Sequence, residues 1–454
     1  MVSVDSEHRE TPTMTEQIRN WAGNVEFRPV RSHHPGSLDE LRRLIAEAGS
    51  VRVLGTGHSF NRLADTAGDL VTLDRLPPEV QVDPDARTAT GSATGSATGS
   101  ATVTAGMRLA DLASRLHAAG FALAALPSLP HISLAGACAT GTHGSGDGSQ
   151  GLAGLVRGMQ FVGPGGDVVE LTRGESPDFD GAVVGLGALG AVTRLTVDVV
   201  PTFDVAQYVY QAVPLQEVIT RLDEVFSAAY SVSVFTGWRG EASVWLKVKV
   251  SPDGTRPLRP GSDWLGGRLA DRPAHPIPGM ATENCTEQLG VPGPWHERLP
   301  HFRPDFTPSA GAELQSEFFV PRSRAAEAIA AVRDLGPLIA PVVQISEFRT
   351  VAADDLWLSP AHHRDSLTIH FTWLPDRSAV EPALAEVERV LLPLGARPHW
   401  GKVFLGGPKA ALATYDKAAD FQALLDRHDP DGKFRNTFVR NLFPLPGAPV
   451  ARPH

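Results

Sequence analysis

Cysteine is almost absent: the chain has 454 residues and only two of them, Cys138 and Cys285, standing far apart. That excludes a disulfide framework and a cysteine-based zinc site, both of which need more or closer thiols, and it fits a reducing compartment. No apolar run approaches the roughly 20 residues of a membrane-crossing helix. The opening MVSVDSEHRETPTMTEQIRN is polar and acidic and lacks the apolar centre of a secretory signal. Massed positive charge is missing too. The formal charge is -10 at pH 7 and the arginines are scattered, so the basic surface that nucleic acid demands is not there. The expectation is a soluble, cytoplasmic monomer with neither nucleic acid nor membrane as partner. Familiar catalytic signatures are also lacking. There is no G-x-G-x-x-G opening a helix after the first strand, no Walker A run, no H-E-x-x-H and no G-x-S-x-G. GTGHSF and GLGALG are near misses. A doubly wound nicotinamide enzyme is poorly supported, and no metal site is expected.

What is present is a globular composition, 42% hydrophobic and 20% charged, with 44 Gly and 37 Pro implying many tight turns. The length points to two domains. Residues 1 to about 18 read as a loose tail, and NWAGNVEFRPV alternates like a short strand. SLDELRRLIAEAGS predicts a helix capped by Ser37, with Glu40 completing a capping box. VRVL and DLVTLDRL read as strands. GSAT then occurs three times running, at 91–94, 95–98 and 99–102, a low-complexity expansion expected to widen a turn before the strand ATVTAG. MRLADLASRLHAAG predicts a helix ended by Gly120, MQFVGPGGDVVEL a hairpin, and AVTRLTVDVV a strand. The pattern changes near Pro201. YSVSVFTGW, SVWLKVKV, AELQSEFFVP, PVVQISEFRTV, SLTIHFTW and HWGKVF read as strands, with SRAAEAIAAVRDL and VEPALAEVERVLLPL as helices between them. That order suits an antiparallel sheet with helices on one side. Residues 251–310, rich in Pro, Gly, His and Trp, read as long surface loops. YDKAADFQALLDRHDPDGKFRNTFVRNLF reads as a helix and tail that return to the first domain.

Two stretches ask for chemistry. In GTGHSFN, two glycines bring the backbone close to something and His58 follows at once; that imidazole can hold a metal, take a proton, fill a gap or carry a bonded group. FALAALPSLPHISLAGACATGTHGSG is small and glycine-rich yet holds His131, Ser133, Thr140 and His143. In the second half, strand parity puts Glu347 with Arg349, His370 with Thr372 and Gln315 with Glu317 on shared faces. Lys402 closes HWGK. Against apolar core such residues would carry a heavy desolvation cost, whereas lining a polar ligand they would grip several hydroxyls. An exposed Glu347–Arg349 pair and a satisfied strand histidine remain the plain alternative.

GHSFN, PSLPHISLAGACATGTHGSG, GALGAVT, the run from NCTEQLG to ELQSEFF, SEFRTVAAD, HFTW and HWGKVF resemble the FAD-linked alditol oxidases. These xylitol or sorbitol oxidases belong to the vanillyl-alcohol-oxidase-like group, which also includes the sugar-lactone oxidases. The resemblance runs from about residue 18 to 445. It implies a two-domain α+β fold, with an FAD-binding domain over 18–200 completed by 403–454, and a substrate-binding cap over 201–402. It implies FAD joined covalently to His58 and held by Gly55, Thr56, Gly57, Ser59, Asn61, Ser128, His131, Ser133, Gly136, Thr140, Gly141, His143, Gly144, Gly190, Val192 and Lys402. Ser133, Gln315, Glu347, Arg349, His370, Thr372 and Lys402 would bind the polyol. Of these, Glu347 and Arg349 would hold the reacting hydroxyl and its neighbour, His370 would be the base, and Lys402 would offset charge on the reduced cofactor. The implied reaction is oxidation of a terminal polyol hydroxyl to the aldose, with O2 reduced to H2O2. The alternative is a related lactone oxidase or a dehydrogenase using another acceptor. The GSAT repeat departs from the family pattern.

Overall fold

The computed structural model describes residues 18–85, 98–251, 253–255, 259–304 and 312–447. The expected N-terminal tail and nearly all of the first two GSAT copies lie outside them. The third copy does not widen a turn: it opens the Gly99–Thr104 strand. A Cβ on Gly99 would meet the Asp83 carbonyl oxygen at 2.6 Å, so the glycine of that copy is what lets the strand pack beside Val80–Asp83.

The first half builds two sheets. Arg31–His33, Asp69–Thr72 and Val51–Leu54 form a small parallel sheet with Asp69–Thr72 in the middle. The strand expected in NWAGNVEFRPV is a turn carrying one isolated bridge, Arg19 to Glu26; the strand follows at Arg31–His33. The helix Leu38–Glu47 starts where expected. Ser37 Oγ accepts from the Glu40 amide, while the Glu40 carboxylate takes the Gly36 amide instead of that of Ser37. Beside this lies a six-stranded antiparallel sheet running through Val80–Asp83, Gly99–Thr104, Ala191–Pro201, Val156–Val162 and Val168–Thr172, with Phe121–Ala122 paired to Ala191–Pro201. Leu109, Leu112 and Leu116 are fully buried along the Leu109–Ala118 helix, and Gly120 takes φ +84° after it.

After Pro201 the chain enters a ten-stranded sheet at Asp204. Its order through the functional part is Glu241–Val250, Ser231–Thr236, Val343–Val351, Ser366–Trp373, Leu314–Pro321, all antiparallel. Parity divides this sheet sharply. Phe318, Phe348, Ile369, Phe371 and Trp373 face the helices Ala325–Asp334 and Arg377–Leu391 and pack with Ile329, Val332, Leu384 and Val387. Burying side chains of this size contributes roughly 1.5–3 kcal/mol each. The opposite face is polar and looks back toward the first half. HWGK is a turn after the short Arg397–Pro398 strand, not a strand itself.

Residues 259–304 are more than surface loop: Trp264 and Trp295 are buried, and short strands tie the segment to the sheet edge. At the end, the helices Ala418–His428 and Thr437–Leu442 return to the first half and pack into the core of its antiparallel sheet, while Phe434 between them reaches the parallel sheet. The Val51 amide donates to the Lys433 carbonyl at 2.9 Å. The buried Arg52 guanidinium donates to the carbonyls of Leu63, Leu186, Gly187 and Phe434 at 2.6–2.8 Å. Among the described residues, no helix is long and apolar enough to cross a membrane.

Candidate active site

A cleft with about 1700 Å³ of empty space, mouth included, separates the glycine-rich segments of the first half from the polar face of the large sheet. One wall is backbone and small side chains. Gly55, Thr56, Gly57, His58 and Ser59 leave the Val51–Leu54 strand and line it, together with Ser128, Ser133, Gly136, Thr140 and His143. Gly57 adopts φ +67°, which only glycine takes without strain. A Cβ on Gly55 would lie 2.5 Å from Ser133 Oγ, and one on Gly136 would lie 2.9 Å from the same atom. Any larger residue there would fill the wall. A flat, glycine-smoothed surface with serine and threonine hydroxyls along it fits a dinucleotide with an aromatic ring system.

His58 is set into this wall. Its ring lies 4.4 Å from that of Trp21, and its Nδ1 lies 3.3 Å from His131 Nε2. Burial pushes His58 down to about 3, with His131 and Lys402 adding repulsion, so at neutral pH it is an uncharged nucleophile. His131 touches His58 and does not line the cleft. Asn61 is also turned away: its amide donates to the carbonyls of Trp400 and Lys402 at 2.7 and 2.9 Å. It thereby holds the Lys402 turn against the first half. Gly141 and Gly144 sit behind the wall, and Gly190 and Val192 border a smaller separate cavity.

The facing wall is the sheet. Glu317, His370 and Glu347 stand side by side in one row across three strands, Gln315 and Thr372 are paired in the next, and Arg349 follows Glu347 by two residues. All six are at most 9% exposed. The polar face foreseen from parity is therefore buried, and an ordinary exposed ion pair is ruled out. Glu317, which the sequence reading left out of the site, is its electrostatic centre. Its carboxylate meets Lys402 Nζ at 2.7 Å, His143 at 3.0 Å, Arg349 at 3.1 Å and His370 at 3.8 Å. Desolvation opposes its charge, yet Lys402, His143 and Arg349 hold its carboxyl well below the usual carboxylate range. Burial likewise works against Glu347, but Arg349 and His301 keep its carboxyl far below normal.

Lys402 Nζ also lies 2.7 Å from His370 Nδ1, and His370 Nε2 lies 3.2 Å from Thr372 Oγ1. Burial is the largest influence on both and lowers both, His370 to about 4. A second histidine went unrecognised in the sequence: His301 lines the cleft from the segment expected to be surface loop, with its Nε2 at 3.1 Å from Glu347 Oε1. No periodicity marks it, because it arrives on a loop.

A cofactor-shaped wall opposite a buried, charge-balanced polar face defines a flavin-dependent oxidoreductase. Sequence profiles agree: that of the FAD binding domain matches residues 33–172, and that of D-arabinono-1,4-lactone oxidase matches 312–442. The alditol oxidase of a Streptomyces species is 46% identical over 434 residues, covering 94% of this chain and 99% of that one. The chain belongs to the alditol oxidase family. It is also 27% identical over 440 residues to the L-gulono-1,4-lactone dehydrogenase of Mycobacterium tuberculosis, covering 93% of this chain and 98% of that one. Among solved structures, a solvent-stable cholesterol oxidase matches with a TM-score of 0.73 at 16% identity, covering 94% of this chain and 97% of that one, a likeness of fold alone.

Proposed function

We propose that the protein oxidises a terminal hydroxyl of polyols such as xylitol and sorbitol to the aldose, with FAD carried covalently on His58 and O2 reduced to H2O2. The observation that carries this reading is the row Glu317, His370, Glu347 with Arg349 beside it, a buried face with enough donors and acceptors to hold several adjacent hydroxyls. FAD, when bound, supplies the hydride acceptor for the substrate carbon. Residues 55–59, Ser128, Ser133, Gly136, Thr140 and His143 would hold it, and Asn61, Gly141, Gly144, Gly190 and Val192 would support that wall from behind. His131, 3.3 Å from His58, would hold that imidazole in orientation toward the cofactor.

The protein's own part is to bind the polyol and move one proton. Glu347 and Arg349 hold the reacting hydroxyl and its neighbour, while Gln315, Thr372 and Ser133 read hydroxyls further along. His370 is uncharged and accepts the hydroxyl proton at Nε2 as its Nδ1 proton passes to Lys402 Nζ, 2.7 Å away. The step needs Lys402 as the neutral amine, and burial pushes it that way. It ends with an ammonium paired to Glu317 and close to the cofactor wall, where it offsets the negative charge arriving there. Peroxide formation with xylitol, sorbitol and a sugar lactone in air, repeated with a dye acceptor without air, tests the reading. Faster turnover of polyols in air is expected; preference for the lactone, or for the dye alone, would overturn it. Acid-denatured protein should stay yellow, and flavin that washes off would remove the covalent link.

A further inference from the structure

The polar face does not stop at Glu347. Phe235 is directly opposite it on the next strand, and the same face continues through Ser233 and Trp245 to Lys247. Lys247 is 2% exposed, an unusual place for an ammonium. Its Nζ donates to the Leu299 carbonyl and lies 3.3 Å from His301 Nδ1. The far side of the same ring meets Glu347 Oε1 at 3.1 Å and Ser233 Oγ at 3.2 Å. The rings of Phe235 and Trp245 stand edge-on to His301 at 5.1 and 5.4 Å and hold its plane. The loop that brings His301 is fastened in turn, since the Thr286 amide donates to the His301 carbonyl and Thr286 Oγ1 to that of Pro300. Nothing in the reaction as described uses Lys247 or His301, yet both are fully enclosed.

Resting on the polyol reading above, we propose that Lys247 and His301 are positioning residues that aim Glu347 at the substrate. A lysine nitrogen always has a hydrogen to give, as ammonium or as amine. Glu347 is an ionised carboxylate and can only accept, so the His301 proton sits on Nε2 and is donated to Glu347 Oε1, which leaves Nδ1 to accept from Lys247. That leaves Glu347 Oε2, 3.5 Å from Arg349 Nε, as the oxygen turned to the ligand. The charged or titratable groups facing His301 are Lys247, Glu347 and Arg349. Burial pushes His301 down to about 4 and Lys247 down to about 7, so the ring stays neutral and keeps one donor and one acceptor. Without Lys247 the Nδ1 edge loses its partner, and the ring is free to swing and carry Glu347 out of line.

The holoenzyme tests this with two substitutions of similar polarity. In His301→Gln the amide nitrogen reaches the place of Nε2; in His301→Asn it reaches only that of Nδ1. Mixed anaerobically with xylitol, the Gln variant should reduce its flavin within about fivefold of the parent rate. The Asn variant should fall by about 100-fold, the scale of an ångström-size misplacement. Equal rates in the two variants would overturn the assignment. A parent enzyme that xylitol fails to reduce would instead overturn the polyol reading. An independent readout needs no turnover: in 15N-histidine-labelled protein, the signal lost in His301→Gln should show the Nε2–H tautomer, and the Nδ1–H tautomer would overturn the proposal.

Discussion

Two lysine–histidine pairs flank the same cleft and are wired in opposite senses. In the first, Lys402 lies 2.7 Å from His370 Nδ1 and the carboxylate, Glu317, sits at the lysine end. In the second, Lys247 lies 3.3 Å from His301 Nδ1 and the carboxylate, Glu347, sits at the imidazole end. The consequence is electrostatic. With Glu317 on Lys402, the Nε2 of His370 meets, among the described residues, only the Thr372 hydroxyl, a weak partner that a substrate hydroxyl can displace. With Glu347 on Nε2, the His301 ring is already committed. On the proposed reading one imidazole is left to exchange protons and the other to hold a carboxylate still, although both are buried and both are lowered to about 4. A shifted pKa therefore does not identify a base; what the second nitrogen touches does.

The difference is easiest to break at Lys402. Lys402→Met removes the proton's destination and, with it, the positive charge that the transfer would leave there, and anaerobic flavin reduction by xylitol should slow about 1000-fold with flavin content unchanged. The parent rate should rise with pH through the lowered Lys402 pKa, because the amine is the reactive form, and the Met variant should lose that rise. Arg52 gives a contrast without a proton role, since its partners are four backbone carbonyls. Arg52→Met should cost about 3 kcal/mol of stability in chemical denaturation and leave the pH dependence of the reduction rate in place. Glu317→Gln separates charge from shape at the first pair. Reduction should fall about 100-fold, and the rising limb should move to lower pH, since Glu317 is what raises Lys402 against burial. Thr372→Val is the mildest: losing one hydroxyl should cost about 1 kcal/mol, about fivefold in kcat/KM for xylitol.

Much of the working face was legible because strands have period two. Parity put Glu347 with Arg349, His370 with Thr372 and Gln315 with Glu317 on shared faces, the family resemblance joined Gln315, Glu347, Arg349, His370 and Thr372 into one expected site, and GTGHSFN flagged its own importance by glycine and histidine together. Glu317 shares a face with Gln315 by the same rule. Its dominance was hidden because it depends on His143, Arg349, His370 and Lys402 converging from separate segments. Lys247 and His301 were hidden for different reasons: the first looks like any strand lysine, and the second lies in a Pro-rich segment without periodicity. Asn61 is a motif residue whose side chain turns from the cleft to the Lys402 turn. The third GSAT copy read as filler, yet it is strand because the neighbouring ladders impose it.

The most direct measurement is the visible spectrum of purified protein as xylitol is added without oxygen, then air. The account predicts a yellow protein that bleaches with the polyol and regains its colour in air with release of peroxide. A flavin band that polyols leave untouched, or a colourless protein, would contradict it.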